Sequence, residues 1–590
     1  MKKYLLASAL IFSFLFASCV STSVPECDDT LDFPGVSSDE EPLKLSRNFG
    51  VYDFSFNLAV SVARQGHVIR YTTDGSEADE NSTLYENGIL IANTKSAGKY
   101  ILTKSVHIYD TSKYGSYMPS MRYKGVPLSL VEYDENGNEV FRKRGTFLVM
   151  PKGSSYFKNV PVVCLSAPVE NFIGIDGSGG LYNLIADEKK YDAFLEYYDF
   201  SSGEKFSLET KMKLGGNWTK GFACRTINLN FKKNSKDKKN DDLGVKIFPT
   251  LNDKKIKRLR LHSGGNDTFS AFFTDAFVQR LASMADVKVA TSAYRPCVLF
   301  LNGEYWGVYG LREHYNEDYL SATYGVKKKD IVFVDKTHSP EKGNSKYNFN
   351  IKTKNKDVAI KELDKLFEFL ECSDADGTDF SPVITKDWTS DKVYDEFCKL
   401  VDVEGLADLI LLNGYAANWD FMGNNLRMWK TVNVDPSNPY ADGRWHFILH
   451  DTDFSFQDEG ASRGLDGNGK NYLDYYLGNA SLGWGEKQGP LPACDYLLLS
   501  LPSKNEKFRA LLMERALYMQ NVVFEVQHAL EVLNQMQEEI DFLYKDRCLR
   551  WGKSGYSYEE WKSQLEFRRR AIVHRPDFFM KQFKSSFGYE

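Results

Sequence analysis

The residues best suited to chemistry lie between positions 418 and 453. The run Asn418-Trp-Asp420-Phe-Met-Gly-Asn424-Asn425 sets an amide five residues after an aspartate, and His450-Asp451-Thr-Asp453 adds two carboxylates further on. A carboxylate at a loop base can orient a hydroxyl and take its proton. Hard divalent cations take oxygen ligands from one or two carboxylates together with phosphate oxygens. Two acids brought close need a cation between them, or one of them protonates. These residue types therefore suit transfer of a phosphoryl group from a triphosphate. Asp420 would face the acceptor hydroxyl, and Asn425 or Asn424 would share Mg2+ with either Asp451 or Asp453.

The elements that must position them follow an informative order. The apolar helix VEGLADLILLNGY runs into the Asp420 loop. Strands expected over 426–431 and 445–449, parted by Asp435-Pro436 and Asp442-Gly443, lead into the second aspartate loop. Helix, aspartate loop, hairpin, aspartate loop is the layout with which protein kinases hold their catalytic aspartate and metal ligands. A second hairpin, turning at Asn302-Gly303 and ending Arg312-Glu313, carries a strong two-residue turn signal. In kinase-like folds such a hairpin feeds the segment joining two lobes, where a nucleotide base is received. A third cluster, Gly215-Gly216-Asn-Trp-Thr-Lys220-Gly221 followed by Arg225, offers glycine-rich backbone that can cradle phosphates.

The wider pattern sets these clusters in a chain of several packed units. The 590 residues hold 42% hydrophobic and 14% aromatic side chains, which excludes intrinsic disorder and supplies two or three cores. Lys+Arg 74 against Asp+Glu 80 gives a net charge of −6, without the basic excess of a general nucleic-acid binder. Short alternating segments after residue 46 predict a β-sandwich over 46–145. From 155 to 312 strands dominate, over 206–214, 225–231, 257–262 and 297–311, with one helix over 269–282. From 313 to 590 the pattern is mainly helical, over 359–370, 390–413 and 508–543. The lysine-rich run 232–242 and the segment 336–357 are expected to be exposed loops.

At the N-terminus, two lysines, a short apolar run and Phe16-Ala17-Ser18-Cys19 have the form of a signal peptide over 1–18. The motif resembles a bacterial lipobox, with Phe16 where a smaller aliphatic residue is usual. It implies a lipid anchor on Cys19, a tether over 19–45, and a place in the bacterial envelope facing the periplasm or the surface. The other eight cysteines are scattered without a CxxC pair, which excludes zinc and thioredoxin-type sites. Cys164 and Cys297 are expected as small buried residues.

Two resemblances sharpen these expectations. Tyr71-Thr-Thr-Asp-Gly-Ser and Tyr85, within the stretch from Gly50 to Ile91, resemble the immunoglobulin-like module at the end of bacterial chitobiases. From Val160 onward the chain resembles the spore-coat protein H (CotH) kinase family. VPVVCLSAPVENF, KMKLGGNWTKGFACRTINLNF, KRLRLHSGGNDTFSAFFTDAFVQRLA, YRPCVLFLNGEYWGVYGLREHYNEDYL, NWDFMGNNLRMW, GRWHFILHDTDFSF and HRPDFF carry that likeness.

The second resemblance implies an α+β fold: a divergent, two-lobed protein-kinase-like domain, with a strand-rich lobe over 155–312 and a helical lobe over 313–590, behind the small sandwich. It further implies ATP with Mg2+ or Mn2+, and a Ser/Thr protein acceptor in the envelope or at the surface. Asp420 resembles the catalytic aspartate. Asn424, Asn425, Asp451 and Asp453 resemble metal ligands, and Gly215, Gly216, Lys220, Arg225, Asp275 and Glu313 the nucleotide-binding set. Arg225 stands where that family carries lysine, and Asp275 is shorter than the usual glutamate partner. Arginine keeps the charge but presents a planar fork. These changes leave a noncatalytic pseudokinase or adhesion protein as the alternative. A nucleotide-sugar glycosyltransferase, for which Asp-x-Asp would hold metal, lacks its Rossmann-like series here.

Overall fold

Nine short strands open the described chain: β1 (Leu43–Leu45), β2 (Gly50–Tyr52), β3 (Phe56–Leu58), β4 (Val60–Val62), β5 (Val68–Thr72), β6 (Thr83–Leu84), β7 (Ile89–Ile91), β8 (Val126–Tyr133) and β9 (Glu139–Val149). They form a five-stranded sheet in the order β2-β9-β8-β5-β6 and two strand pairs, β1-β4 and β3-β7. Alternation buries Leu58, Ile69, Ile89, Ile91, Leu128, Leu130 and Phe147 between them. The computed structural model describes residues 43–62, 64–92, 101–108, 123–150, 159–174, 179–182, 189–231, 245–251, 256–336, 347, 349–372, 383–422, 424–456, 471–479, 494–553 and 556–589. The leader, Cys19, the tether to residue 42 and the lysine-rich run 232–242 lie outside them. Among the described residues no helix is long and apolar enough to cross a membrane.

The sandwich is joined to the next unit by buried polar bonds rather than by a bare linker. Glu304 accepts from the backbone N–H groups of Leu102 (3.0 Å) and Thr103 (2.8 Å), at the start of helix α1 (Ile101–Ile108). Glu196 accepts from the N–H of Thr146 at 2.9 Å. Val51, Leu148 and Met150 belong to the core of the main body, so this module shares packing with the rest.

That next unit is a closed seven-stranded barrel. Its strands are β10 (Val162–Ser166), β11 (Tyr191–Tyr198), β12 (Lys205–Leu214), β13 (Ile227–Phe231) and β14 (Arg258–His262), with the hairpin β16 (Tyr294–Leu301) and β17 (Glu304–Glu313). The order is β10-β11-β12-β13-β14-β17-β16, and parallel pairing of β10 with β16 closes the ring. Short helix α2 (Val169–Phe172) follows β10. The expected hairpin is present, with Asn302 and Gly303 both in the left-handed region (φ 45° and 74°) that a two-residue turn needs. The helix expected over 269–282 is shorter. A 3-10 turn, Gly265–Phe269, and a bend precede α3 (Thr274–Ser283), because the buried Asp267 carboxylate accepts from the N–H groups of Ala271 and Thr274.

The C-terminal half is helical around a sheet that the sequence only half revealed. Its strands are the two-residue β15 (Val289–Ala290), β18 (Ile331–Lys336), β19 (Phe349–Ile351), β20 (Arg427–Thr431) and β21 (His446–Ile448), in the order β15-β21-β20-β18-β19. The β20–β21 hairpin was expected; β18 and β19 were not, and part of the expected loop 336–357 is instead a buried edge. Lys336 explains the error. Its ammonium lies 3.1 Å from Asp495 with both side chains fully buried, and donates to the Tyr347 carbonyl at 2.8 Å. A lysine with so distant a partner reads as a surface charge in one dimension.

Around this sheet stand α4 (Glu317–Tyr324), α5 (Lys356–Phe369), α6 (Asp391–Leu400), α7 (Val403–Tyr415), α8 (Tyr472–Tyr476), α9 (Cys494–Ser500), α10 (Glu506–Tyr518), α11 (Val526–Trp551) and α12 (Tyr558–Phe587). The helix expected over 390–413 breaks between α6 and α7, where Val401 bridges to Trp445 in the sheet. The one expected over 508–543 breaks at a π-turn, Met519–Val523, before Glu525 caps α11. Helix α11 reaches the barrel itself. Trp551 packs edge-on against Trp306, and the Arg547 and Arg550 guanidiniums bond to Thr268 and to the Tyr305 carbonyl. Cys164, Cys224 and Cys297 are buried thiols, whereas Cys372 is disulfide-bonded.

Candidate functional site

Helix α7 is buried from Gly405 to Tyr415, and its end carries the first aspartate loop. Asn418 ties that loop together. Its Nδ2 donates to Asn413 Oδ1 at 2.9 Å and to the Asp451 carbonyl at 3.3 Å, while its Oδ1 accepts from the Asp420 N–H at 3.3 Å. A single buried amide thus brings the two aspartate loops side by side. Asn425 Nδ2 donates to Asp420 Oδ2 at 3.0 Å, and Asn424 Nδ2 reaches the same oxygen at 3.4 Å. Asn425 and Asp451 both have positive φ (61° and 58°), a conformation that Asn and Asp tolerate better than most residues. Backbone held there marks a loop whose shape the surroundings impose.

The second loop is fixed from the barrel side. Asp453 Oδ2 accepts from the Asn266 N–H at 2.7 Å and its side chain at 3.2 Å. The approach requires Gly265, with φ at +63°, because a Cβ there would lie 2.4 Å from the same oxygen. Asp275, on α3, accepts from the Thr452 N–H and hydroxyl, each at 2.9 Å, and from Arg312 Nη1 at 2.5 Å.

These carboxylates burden one another. Burial pushes Asp451 up to about 7, and the charges of Asp275 and Asp420 add to that push. Burial and the neighbouring Asp451 hold Asp453 well above the usual carboxylate range. Burial would raise Asp275 too, but the charge of Arg312 and the hydrogen bonds from Arg312 and Thr452 together outweigh it and the group is depressed. Acidic groups converging under mutual strain fit a divalent cation. Among the described residues no group of three or more His, Cys, Asp or Glu side chains forms a ready cage. Mg2+ asks for less, taking one or two carboxylates with phosphate oxygens and water. Asp451, Asp453 and Asn425 suit that share.

Facing these loops across a cleft of about 690 Å3 is a cationic wall. Residues of β14 alternate, Leu259 and Leu261 pointing into the barrel while Arg258, Arg260 and His262 line the cleft. Asn228, Arg260 and Arg312 stand in one cross-strand row on β13, β14 and β17. Arg427, on β20, forms a two-bonded pair with Asp335 at 3.0 and 3.1 Å. Burial, with Arg312 next in weight, pushes His262 down to about 3. His314 and His450 are depressed by burial and by nearby arginines, so all three imidazoles stay neutral near pH 7.

The structure gathers most of the residues that the sequence singled out. Asp420, Asn424, Asn425, Asp451, Asp453, Asp275, Gly215, Gly216, Lys220 and Glu313 all line this one cleft. Glu313 also accepts from the Ala293 N–H at 3.0 Å. Arg225 does not join them. Its side chain is 2% exposed, donates to the carbonyls of Phe222 and Leu181 (3.0 Å each), and lies 4.6 Å over the Tyr182 ring. The alternation of β13, carried back through the two residues that lead into it, is the reason: Thr226 and Asn228 line the cleft, while Arg225 and Ile227 face inward. The partner of Asp275 is accordingly Arg312. Arg260, Arg312, Arg427, Gly265 and Asn266 were missed, although Arg-Leu-Arg-Leu-His at 258–262 is a period-2 pattern that offers one cationic face.

Residues 213–579 match the family described as CotH kinase protein, which is more than half of the chain. Residues 49–107 match the chitobiase/beta-hexosaminidase C-terminal domain. No curated protein matches the chain.

Proposed function

Since the chain belongs to the CotH kinase protein family, we propose that it is an ATP-dependent phosphotransferase with a divergent two-lobed, kinase-like site. It would transfer the γ-phosphoryl group to Ser or Thr of an envelope or surface protein. One observation carries the reading: Asp420, Asn425, Asp451 and Asp453, distant in sequence, line one cleft between the barrel and the helical region. Asp420 receives the proton of the acceptor hydroxyl as its oxygen attacks the γ-phosphorus; the bond to the β-phosphate oxygen breaks and ADP leaves with the electron pair. Asn425 steadies the Asp420 carboxylate through its 3.0 Å bond. Asp451 and Asp453, with Asn425, would hold Mg2+ or Mn2+, which neutralises phosphate charge when bound.

The test is the full mature chain with labelled ATP, either metal and a generic protein acceptor. Label on the acceptor or on the chain itself supports the reading. No label, together with no nucleotide-dependent shift in melting temperature, leaves a noncatalytic surface protein. The turn of Arg225 away from the cleft is the observation that favours that second reading. Export to the bacterial envelope and a lipid anchor on Cys19 belong to the same proposal, and the Cys372 disulfide is in keeping with an oxidising compartment. Fatty-acid labelling that persists in Cys19→Ala would overturn the anchor.

A further inference from the structure

One guanidinium of the cationic wall, that of Arg260, forms no ion pair among the described residues. Arg260 stands directly opposite Arg312 in the β14–β17 register, and like charges at opposed positions on neighbouring strands repel. Arg312 is answered by Asp275 and Arg427 by Asp335. Arg260 has a different partner: its Nε donates to Asn228 Oδ1 at 2.9 Å, a neutral group that orients the fork without neutralising it. Among the described residues its two terminal nitrogens have no hydrogen-bond partner, and the side chain lines the cleft. Burial, with Arg427 and Arg312 beside it, depresses this guanidinium to about 10, and the charges of Asp451 and Asp275 offset that only in part. An arginine is held in such a place at a cost unless an anion joins it.

We propose that Arg260 is the cleft's oxyanion site, binding the phosphate tail of the nucleotide through its free edge while Asn228 fixes the plane of the fork. The proposal deepens the phosphotransferase reading, on which it rests for the nucleotide, and replaces Arg225 in that role. A planar fork aimed by a neutral amide suits two oxygens of one phosphoryl group. Arg312 and Arg427, committed to carboxylates, add positive potential beside it.

The experiment uses the full mature chain and three probes: ADP with Mn2+, inorganic tripolyphosphate, and adenosine. In titration calorimetry the wild type should bind ADP and tripolyphosphate. Arg260→Gln should weaken both roughly 10- to 100-fold while leaving adenosine unchanged, and Arg260→Lys should recover part of the loss. Tripolyphosphate bound equally by wild type and Arg260→Gln overturns the proposal and leaves the kinase reading standing. Tripolyphosphate bound through Arg260 without ADP binding sinks the kinase reading and keeps the anion site. Should the variants not fold, phenylglyoxal footprinting of the wild type decides. Arg260 should be protected by tripolyphosphate, and labelling at an unchanged rate under saturation overturns the assignment.

Discussion

The two sides of the cleft are built by different means. The acidic side consists of two loops, at 418–425 and 450–453, held together by one amide, Asn418. The cationic side consists of strand faces, where Arg260 and Arg312 stand in a row set by the β13–β14–β17 register. A loop gathers its chemistry within a few residues, so it shows as a motif. A strand face gathers its chemistry across the sheet, so each strand shows only one or two members. The acidic side therefore announces its function in sequence, and the cationic side does so only once the strands are paired.

The largest effect should come from breaking the acidic side. Asp420→Asn keeps the shape and the bonds to Asn425 but cannot take a proton. Phosphoryl transfer should fall by roughly 10²- to 10⁴-fold, with ADP affinity unchanged. Turnover equal to wild type would remove Asp420 from the chemistry.

Next in size is a substitution that separates the two faces of the segment leading into β13. Arg225→Ala strips two carbonyls of their donor and uncovers the Tyr182 ring inside the barrel. Stability should drop by roughly 1–3 kcal/mol in denaturant unfolding, while ADP affinity stays at the wild-type value. A fall in affinity without a fall in stability would return Arg225 to the cleft and undo the alternation argument.

A smaller effect is expected at the seam between the sides. Gly265→Ala places a methyl 2.4 Å from Asp453 Oδ2 and puts a side chain at φ +63°. The Asp453 carboxylate must move, so half-activation should need a few-fold more Mn2+, with about 1–2 kcal/mol lost from the strained backbone. Unchanged metal dependence would show that Asp453 does not serve the cation.

What sequence could supply follows the same division. The Asn-Gly hairpin, the buried helix α7, the β20–β21 hairpin and the aspartate loops were legible because each is local: a turn dipeptide, an apolar period, a fixed spacing. Helix breaks were not, because long-range contacts impose them. Asp267 stops the turn before α3, and Trp445 pairs with Val401 between α6 and α7. Arg225 was misplaced for want of a register, since in the segment that leads into β13 a shift of one position moves a side chain from cleft to barrel interior. Nor did the charged tail of α11 suggest that Arg547, Arg550 and Trp551 would pack against the barrel, since their partners are far away in sequence.

The comparison sharpens last at a site where charges are fully answered. His446, on β21 and away from the cleft, sits between Asp402 (3.2 Å) and Asp442 (3.1 Å). Burial alone would depress the imidazole, but the hydrogen bonds to both carboxylates outweigh it and the group is raised. A cation favoured in the folded state stabilises it fully below the ordinary histidine value of about 6.5, and the benefit is lost as pH rises through the raised value. Asp442 is depressed despite its burial, through His446 and Arg444, so its own contribution is lost as pH falls through that lower value. Stability at mildly acid pH should therefore exceed that at alkaline pH by about 1 kcal/mol, and His446→Gln should flatten the alkaline decline. The pH profile of tripolyphosphate binding should not change in that variant. If it does, the paired charges of the sheet and the unanswered arginine of the cleft are not separate systems, and the contrast between them fails.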